Sequence, residues 1–350
     1  MTLGPLMVDV EGVELKPEER ELLQHPLVGS VILFMRNYQD PVQIEALVQS
    51  IHRVRSPRLV VAVDHEGGRI QRFRDGFSVL PSARRIGHEY DVSAAEGRSL
   101  AREMGWLMAA ELRAIGVDLS FAPCVDLDYG VSEVIGDRAF HARAEIVSEL
   151  AVAYMGGMRE AGMVATAKHF PGHGAVVADS HHAIAVDRRA LVDLSEDILP
   201  YRRLIANGLV GVMMAHVCYP AEDRWPASAS EFWIRHVLRE QLGFQGVVFA
   251  DDLSMKGAAA SGDITERAER ALRAGCDVLP VCNHRPSVEQ LLKSLVVPDD
   301  PASALRRVRL RGRTLFEPSK LKEMTRWTEA RGLLNKAAMA PSLTLDAPRG

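Results

Sequence analysis

Apolar residues cluster along the chain in short runs: Leu6 to Val8, Val28 to Leu33, Leu59 to Val63, Val117 to Phe121, Val164 to Ala167, Gly211 to Met214, Val247 to Phe249 and Val278 to Val281. A run without polar alternation reads as a strand covered on both faces. Between the runs lie segments with helical spacing, over Pro41 to Val54, Ala94 to Ala114, Ile146 to Glu160, Leu191 to Ala206, Ser230 to Glu240 and Ile264 to Ala274. Strands alternating with amphipathic helices predict parallel βα units, and about eight of them predict an α/β fold, a single (β/α)8 TIM barrel. The stop signals agree: Gly116, Gly162, Gly208, Gly243 and Gly275 each follow a predicted helix and precede a predicted strand, where a left-handed C-terminal cap favours glycine.

The predicted barrel takes up residues 1–300. Residues 301–350 hold a basic helical stretch, Ala302 to Leu315, a polar helix near Leu321 to Leu334 and a tail from Pro341; they are expected to pack on the barrel without forming a separate domain. The run RRVRLRGR has the charge of a nucleic-acid patch, but Val308 and Leu310 among its arginines predict a docked amphipathic helix.

Composition narrows the function. The 350 residues are 47% hydrophobic and 25% charged, with Lys plus Arg 42 and Asp plus Glu 46, a formal net charge of -4. The two signs are interspersed, which argues against a nucleic-acid partner and for a small neutral or modestly charged substrate. The start, MTLGPLMVDVEGVE, has no basic region and reaches acids by Asp9 and Glu11. No apolar run approaches the roughly 18 residues a membrane span needs, so a cytoplasmic protein without membrane association is expected. Cys124, Cys218, Cys276 and Cys282 form no CxxC pair and read as structural thiols.

The candidate chemistry sits where the predicted strands end. VVAVD ends in Asp64, FAPCVD in Asp126, ATAKH in His169, MMAH in His216, VVFAD in Asp251 and VLPVCN in Asn283. In a barrel these positions converge on one mouth. Lys168 to Gly174 (KHFPGHG) leads from a strand end into a loop with Pro171, Gly172 and Gly174, followed by Asp179-Ser180-His181. Lys168 and His169 suit hydrogen bonds to sugar hydroxyls, and Asp179 beside His181 favours the protonated ring that a general acid needs. The histidines of this region, His173, His181 and His182 with His169 and His216, raise a metal site, yet the first strand ends MVDVEG instead of the H-x-H that metal-binding barrels offer. Of Asp251 and Asp252, one carboxylate can enter the mouth as a nucleophile while the other turns away or caps a following helix; spacing leaves the choice open. Asp64-His-Glu-Gly-Gly-Arg69 and Arg72 place a diol-binding carboxylate near arginine forks, and Arg138 follows on a later loop.

Together VVAVDHEGGRIQRF, KHFPGHG with DSH, and VVFADDLSM resemble the family 3 glycoside hydrolases, specifically the bacterial β-N-acetylglucosaminidases of peptidoglycan recycling. DHEGG, RAFH and MMAH depart from the expected DQEGG, RSYH and MPAH. The resemblance implies Asp251 as nucleophile, His181 as acid/base and Asp179 as the residue orienting it, with Asp64, Arg72, Arg138, Lys168, His169 and, in a supporting part, His216 binding the sugar. It further implies a retaining exo-enzyme that removes single N-acetylglucosamine units from muropeptides by double displacement; a monomer without cofactor or metal is expected. A β-glucosidase or β-xylosidase, a substrate-assisted enzyme, an N-acetylglucosaminide phosphorylase and a sugar-binding protein without catalysis are the alternatives.

Overall fold

In the computed structural model, which describes residues 3–177, 185–313 and 316–339, the apolar runs are buried parallel strands. They are β1 (Leu6–Asp9), β2 (Val28–Leu33), β3 (Val60–Val63), β4 (Leu119–Ser120), β5 (Thr166–Phe170), β6 (Gly211–Met214), β7 (Val247–Phe249) and β8 (Leu279–Val281). One parallel sheet runs β8-β1-β2-β3-β4 and a second runs β7-β6-β5. Parallel bridges Cys124↔Lys168 and Phe249↔Val278 lie between the two sheets. Side chains from all eight strands enter one hydrophobic core, which explains why most of the runs show little polar alternation.

The helices are α1 (Pro17–Gln24), α2 (Pro41–His52), α3 (Ala83–Val92), α4 (Ala94–Ala114), α5 (Ala144–Glu160), α6 (Ser195–Ala206), α7 (Ile264–Ala274), α8 (Arg285–Ser294), α9 (Pro301–Val308), α10 (Pro318–Glu323) and α11 (Thr325–Met339). Gly116, Gly162, Gly208, Gly243 and Gly275 all have positive φ, from 71° to 115°. The predicted helix from Leu191 begins as a 3-10 turn, Leu191–Leu194, and the one from Ser230 is a π-helix over Phe232–Gln241. Helices α1, α3 and α8 carry no signal strong enough to predict them. Each buries only two residues, such as Val288 and Leu291 of α8, too few to mark a helical period.

The C-terminal segment is held at the N-terminal ends of the strands. Asp118, fully buried just before β4, accepts Arg58 Nη1 and Nη2 at 2.7 and 2.8 Å, Arg113 Nη1 at 3.3 Å and the Val61 and Gly312 N–H groups at 3.0 Å. Asp277, fully buried before β8, accepts Arg239 at 2.9 Å, Arg306 at 2.9 Å and the Val248 N–H at 2.8 Å. Arg307 donates to the carbonyls of Leu3 and Asp277. The basic run is therefore docked, as expected, but through its arginines and Leu310, because Val308 is exposed and the helix ends there instead of at Leu315. Beyond it α11 lies on α4, where Trp327 Nε1 donates to Glu111 at 2.9 Å and Arg326 forks onto Glu103 at 2.9 Å.

All four cysteines are free and buried, as expected of structural thiols. Among the described residues no helix is long and apolar enough to cross a membrane. Removing one partner from a buried ion pair leaves the others desolvated and uncompensated. Asp118→Ala is therefore expected to lower stability by about 3–5 kcal/mol in urea denaturation; a loss below about 1 kcal/mol would show that the guanidinium groups find other partners.

Candidate active site

Seven residues expected at the mouth line one cavity of about 180 Å³: Asp64, Arg72, Arg138, Lys168, His169, Asp251 and Asn283, whereas Asp126 lies buried behind it. Strand ends place most of them. Asp64 directly follows β3, Lys168 and His169 lie within β5, and Asp251 comes two residues after β7. Arg138 closes a 3-10 turn, Gly136–Arg138, whose loop is tied down by Arg69 Nη2 on the carbonyls of Glu133, Val134 and Ile135. Phe34 lines the cavity too, with the Arg72 guanidinium 5.9 Å from its ring centre. Asp179 and His181 lie outside the described residues.

Charge alternates through the cavity wall. Arg72 Nη2 is 3.5 Å from Asp64 Oδ2; Lys168 Nζ donates to Asp64 Oδ1 at 2.9 Å and lies 2.6 Å from Glu66 Oε1; Arg138 forks onto both oxygens of Glu66 at 2.9 Å. Burial alone would raise the carboxyl pKa values of Asp64 and Glu66, but Lys168 with Arg72, and Arg138 with Lys168, outweigh it and hold both below the usual carboxylate range. Burial would likewise lower Lys168, and the two carboxylates instead raise it. Both carboxylates and the Lys168 ammonium are therefore charged at neutral pH.

His169 is oriented by a buried aspartate. Asp126 Oδ2 lies 2.8 Å from His169 Nδ1, and Oδ1 accepts the His173 N–H at 2.8 Å. Burial opposes ionisation of Asp126, yet His169 and the other donors keep its pKa low. A carboxylate only accepts, so Nδ1 of His169 carries hydrogen. Cys124 Sγ, also 3.3 Å from Asp126 Oδ2, completes a group whose ligand atoms lie within 4.8 Å of one another. Those atoms are engaged with each other, and burial pushes the Cys124 thiol well above its ordinary pKa, away from the thiolate a metal requires.

The adjacent aspartates differ in their partners. Asp252 caps no regular helix. Its carboxylate accepts the Ser254 and Cys282 N–H groups at 2.9 and 3.1 Å and the Ser254 hydroxyl at 2.8 Å, tying the end of β7 to the end of β8. Burial pushes its pKa up to about 6 in spite of those donors, and the Asp251 carboxylate adds to the rise. Asp251 is half-buried in the cavity wall, with Oδ1 accepting the Asp252 N–H at 2.9 Å. His216 does not line the cavity: it is fully buried, with Nε2 2.9 Å from the Asp252 carbonyl and Nδ1 2.6 Å from Ser228 Oγ. It touches the site through the backbone beside Asp251.

The wall also contains Glu66 and His173, which sequence reasoning did not single out as site residues. A signal for Glu66 existed, since alternate residues of an extended segment share a face and Glu66 is two beyond Asp64. The glycines of KHFPGHG serve close packing, not unusual backbone angles. A Cβ on Gly174 would stand 1.8 Å from the Leu127 carbonyl oxygen, and one on Gly172 2.7 Å from Asp197 Oδ1.

Residues 5–309 match the glycosyl hydrolase family 3 N terminal domain. A beta-hexosaminidase of Thioalkalivibrio sulfidiphilus is 53% identical over 346 residues, covering 99% of this chain and 100% of the relative. That of Thiobacillus denitrificans is 52% identical over 334 residues, covering 94% of this chain and 93% of its own. Among solved structures, NagZ from Neisseria gonorrhoeae in complex with N-trifluoroacetyl-D-glucosamine superposes with a TM-score of 0.92 at 40% identity, over 97% of this chain and 99% of that one.

The Asp252 pKa carries a pH signature. A carboxyl raised in the folded state binds its proton more tightly there than when unfolded, so its contribution to stability falls as pH rises from about 4 through about 6. Asp252→Asn cannot titrate. Its melting temperature relative to the parent is expected to rise across pH 4 to 7, by the equivalent of about 3 kcal/mol at most; identical pH dependence in the two proteins would mean that Asp252 does not titrate in this range.

Proposed function

The chain belongs to glycosyl hydrolase family 3, and from that premise we propose that it is a retaining exo-β-N-acetylglucosaminidase acting on N-acetylglucosamine joined to anhydro-N-acetylmuramoyl peptides in cell-wall recycling. The observation that carries this reading is the single cavity in which Asp251 faces an alternating chain of cations and carboxylates. Such a wall offers both fixed donors and fixed acceptors, which matches the dual hydrogen bonding of sugar hydroxyls and an acetamido group. The names of the relatives point the same way.

Asp251 attacks the anomeric carbon while His181, as imidazolium paired with Asp179, protonates the departing oxygen. The resulting glycosyl-enzyme is opened from the same face by water, from which neutral His181 takes a proton, so two inversions give retention. Asp64, Arg72, Arg138, Lys168 and His169 hold the sugar, and His216 supports them through the Asp252 backbone. The eight strands form one closed (β/α)8 barrel over residues 1–300, a reading supported by the two parallel bridges between the sheets. The segment from residue 301 belongs to the same domain, supported by its contacts with Asp118, Asp277 and α4. A muropeptide is its small partner, and a cytoplasmic monomer without nucleic-acid or membrane partners fits the interspersed charge.

The decisive assay sets an aryl N-acetyl-β-glucosaminide against the matching aryl β-glucoside, with the first-formed anomer followed by NMR. The acetamido sugar is expected to be preferred and the β-anomer to appear first; an α-anomer would overturn retention. Asp251→Asn is expected to lose roughly a thousandfold or more in kcat, with a 2-fluoro glycoside trapped on Asp251 in the parent. His181→Ala is expected to slow glycosides with poor leaving groups far more than activated aryl glycosides; equal losses would remove it from the acid role.

A further inference from the structure

Glu66 lies between two cations of the cavity and bonds to both. Arg138 Nε donates to Oε2 and Arg138 Nη2 to Oε1, each at 2.9 Å, while Lys168 Nζ reaches Oε1 at 2.6 Å. The fork fixes the guanidinium plane, and Nη1 is held at 3.2 Å from the Val134 carbonyl. Lys168, with one donor on Asp64 and one on Glu66, keeps its third N–H; Arg138 keeps one on each terminal nitrogen. Without the carboxylate, the ammonium and the guanidinium would face one another across the space that it fills, and like charges repel.

We propose that Glu66 is a positioning residue for sugar recognition: it aims Arg138 and, together with Asp64, Lys168, so that their unused N–H donors meet oxygen atoms of the substrate. This rests on the reading that the cavity takes the sugar. Three of the acceptor positions of Glu66 are taken by the two cations, both positions of Oε1 and one of Oε2. Its effect must therefore pass through Arg138 and Lys168, which makes the effect of its loss non-additive with theirs.

The test is a double-mutant cycle on the full chain with an aryl N-acetyl-β-glucosaminide. Glu66→Gln is expected to lower kcat/KM about a hundredfold, mainly through KM, because binding interactions held in the ground state are lost. Combined with Arg138→Gln, it should cost at most about tenfold beyond Arg138→Gln alone, the part that passes through Lys168. Losses that multiply, or a Glu66→Gln protein within about threefold of the parent, would overturn the proposal. If Glu66→Gln does not fold, Glu66→Asp keeps the charge and should raise KM with kcat and melting temperature near the parent values. Failure of both to fold would assign Glu66 a purely structural part and refute the proposal. A parent without activity on this substrate would instead refute the reading of the cavity, leaving the two failures distinct.

Discussion

Every ionised carboxylate taken out of water must be matched by cations or N–H donors, and in this molecule that requirement organises both ends of the strands. Asp118 and Asp277 meet it at the N-terminal ends, and Asp64, Glu66 and Asp126 at the C-terminal ends. The desolvation cost of each is too large to leave unpaired. Their partners therefore come from wherever in the chain they are available, which is how residues far apart in sequence are brought together. Arg306 and Gly312 reach back to Asp277 and Asp118, and Arg138 reaches Glu66 across 72 positions.

The two ends satisfy the same requirement with different results. At Asp118 the donors come from two arginines and two backbone N–H groups, all around a carboxylate with no exposure, so the cluster does nothing but hold elements together. At the cavity the cations outnumber the carboxylates between them, Arg72, Lys168 and Arg138 against Asp64 and Glu66, and donors are left over facing open space. Saturation gives stability, and the surplus gives binding capacity. Parallel strands make this division natural, because all their N-terminal ends lie on one side and all their C-terminal ends on the other.

Much of this was legible in the sequence. Short apolar runs marked the strands, most of them with little polar alternation because their residues are buried on both faces, although Val117 to Phe121 carries Asp118 and Ser120; the five glycine stops marked helix ends through a conformation other residues resist. The strand-end rule found Asp64, His169 and Asp251 for a simple reason: position along a strand fixes where the side chain emerges. It failed for His216, whose side chain turns to Ser228 and a backbone carbonyl, and for Glu66, which the eye reads as part of a glycine-rich turn. Partners cannot be read from one chain when they lie 72 or 104 positions apart, as Glu66 and Asp64 do from Arg138 and Lys168.

The pair Asp251-Asp252 shows why neighbouring identical residues need not be interchangeable. Asp252, half-buried like Asp251, is matched by neutral donors, a hydroxyl and two N–H groups, and its pKa rises because burial outweighs them. Asp64 and Glu66, each beside Lys168, move the opposite way. Neutral donors offset only part of the desolvation cost, so Asp252 is a structural acid that tolerates protonation, and its ties to Ser254, Cys282 and His216 fix the backbone from which Asp251 extends. Asp251, in the cavity wall, accepts the Asp252 N–H on Oδ1. The rigid backbone at the ends of β7 and β8 thus sets the direction in which the Asp251 carboxylate emerges into the cavity.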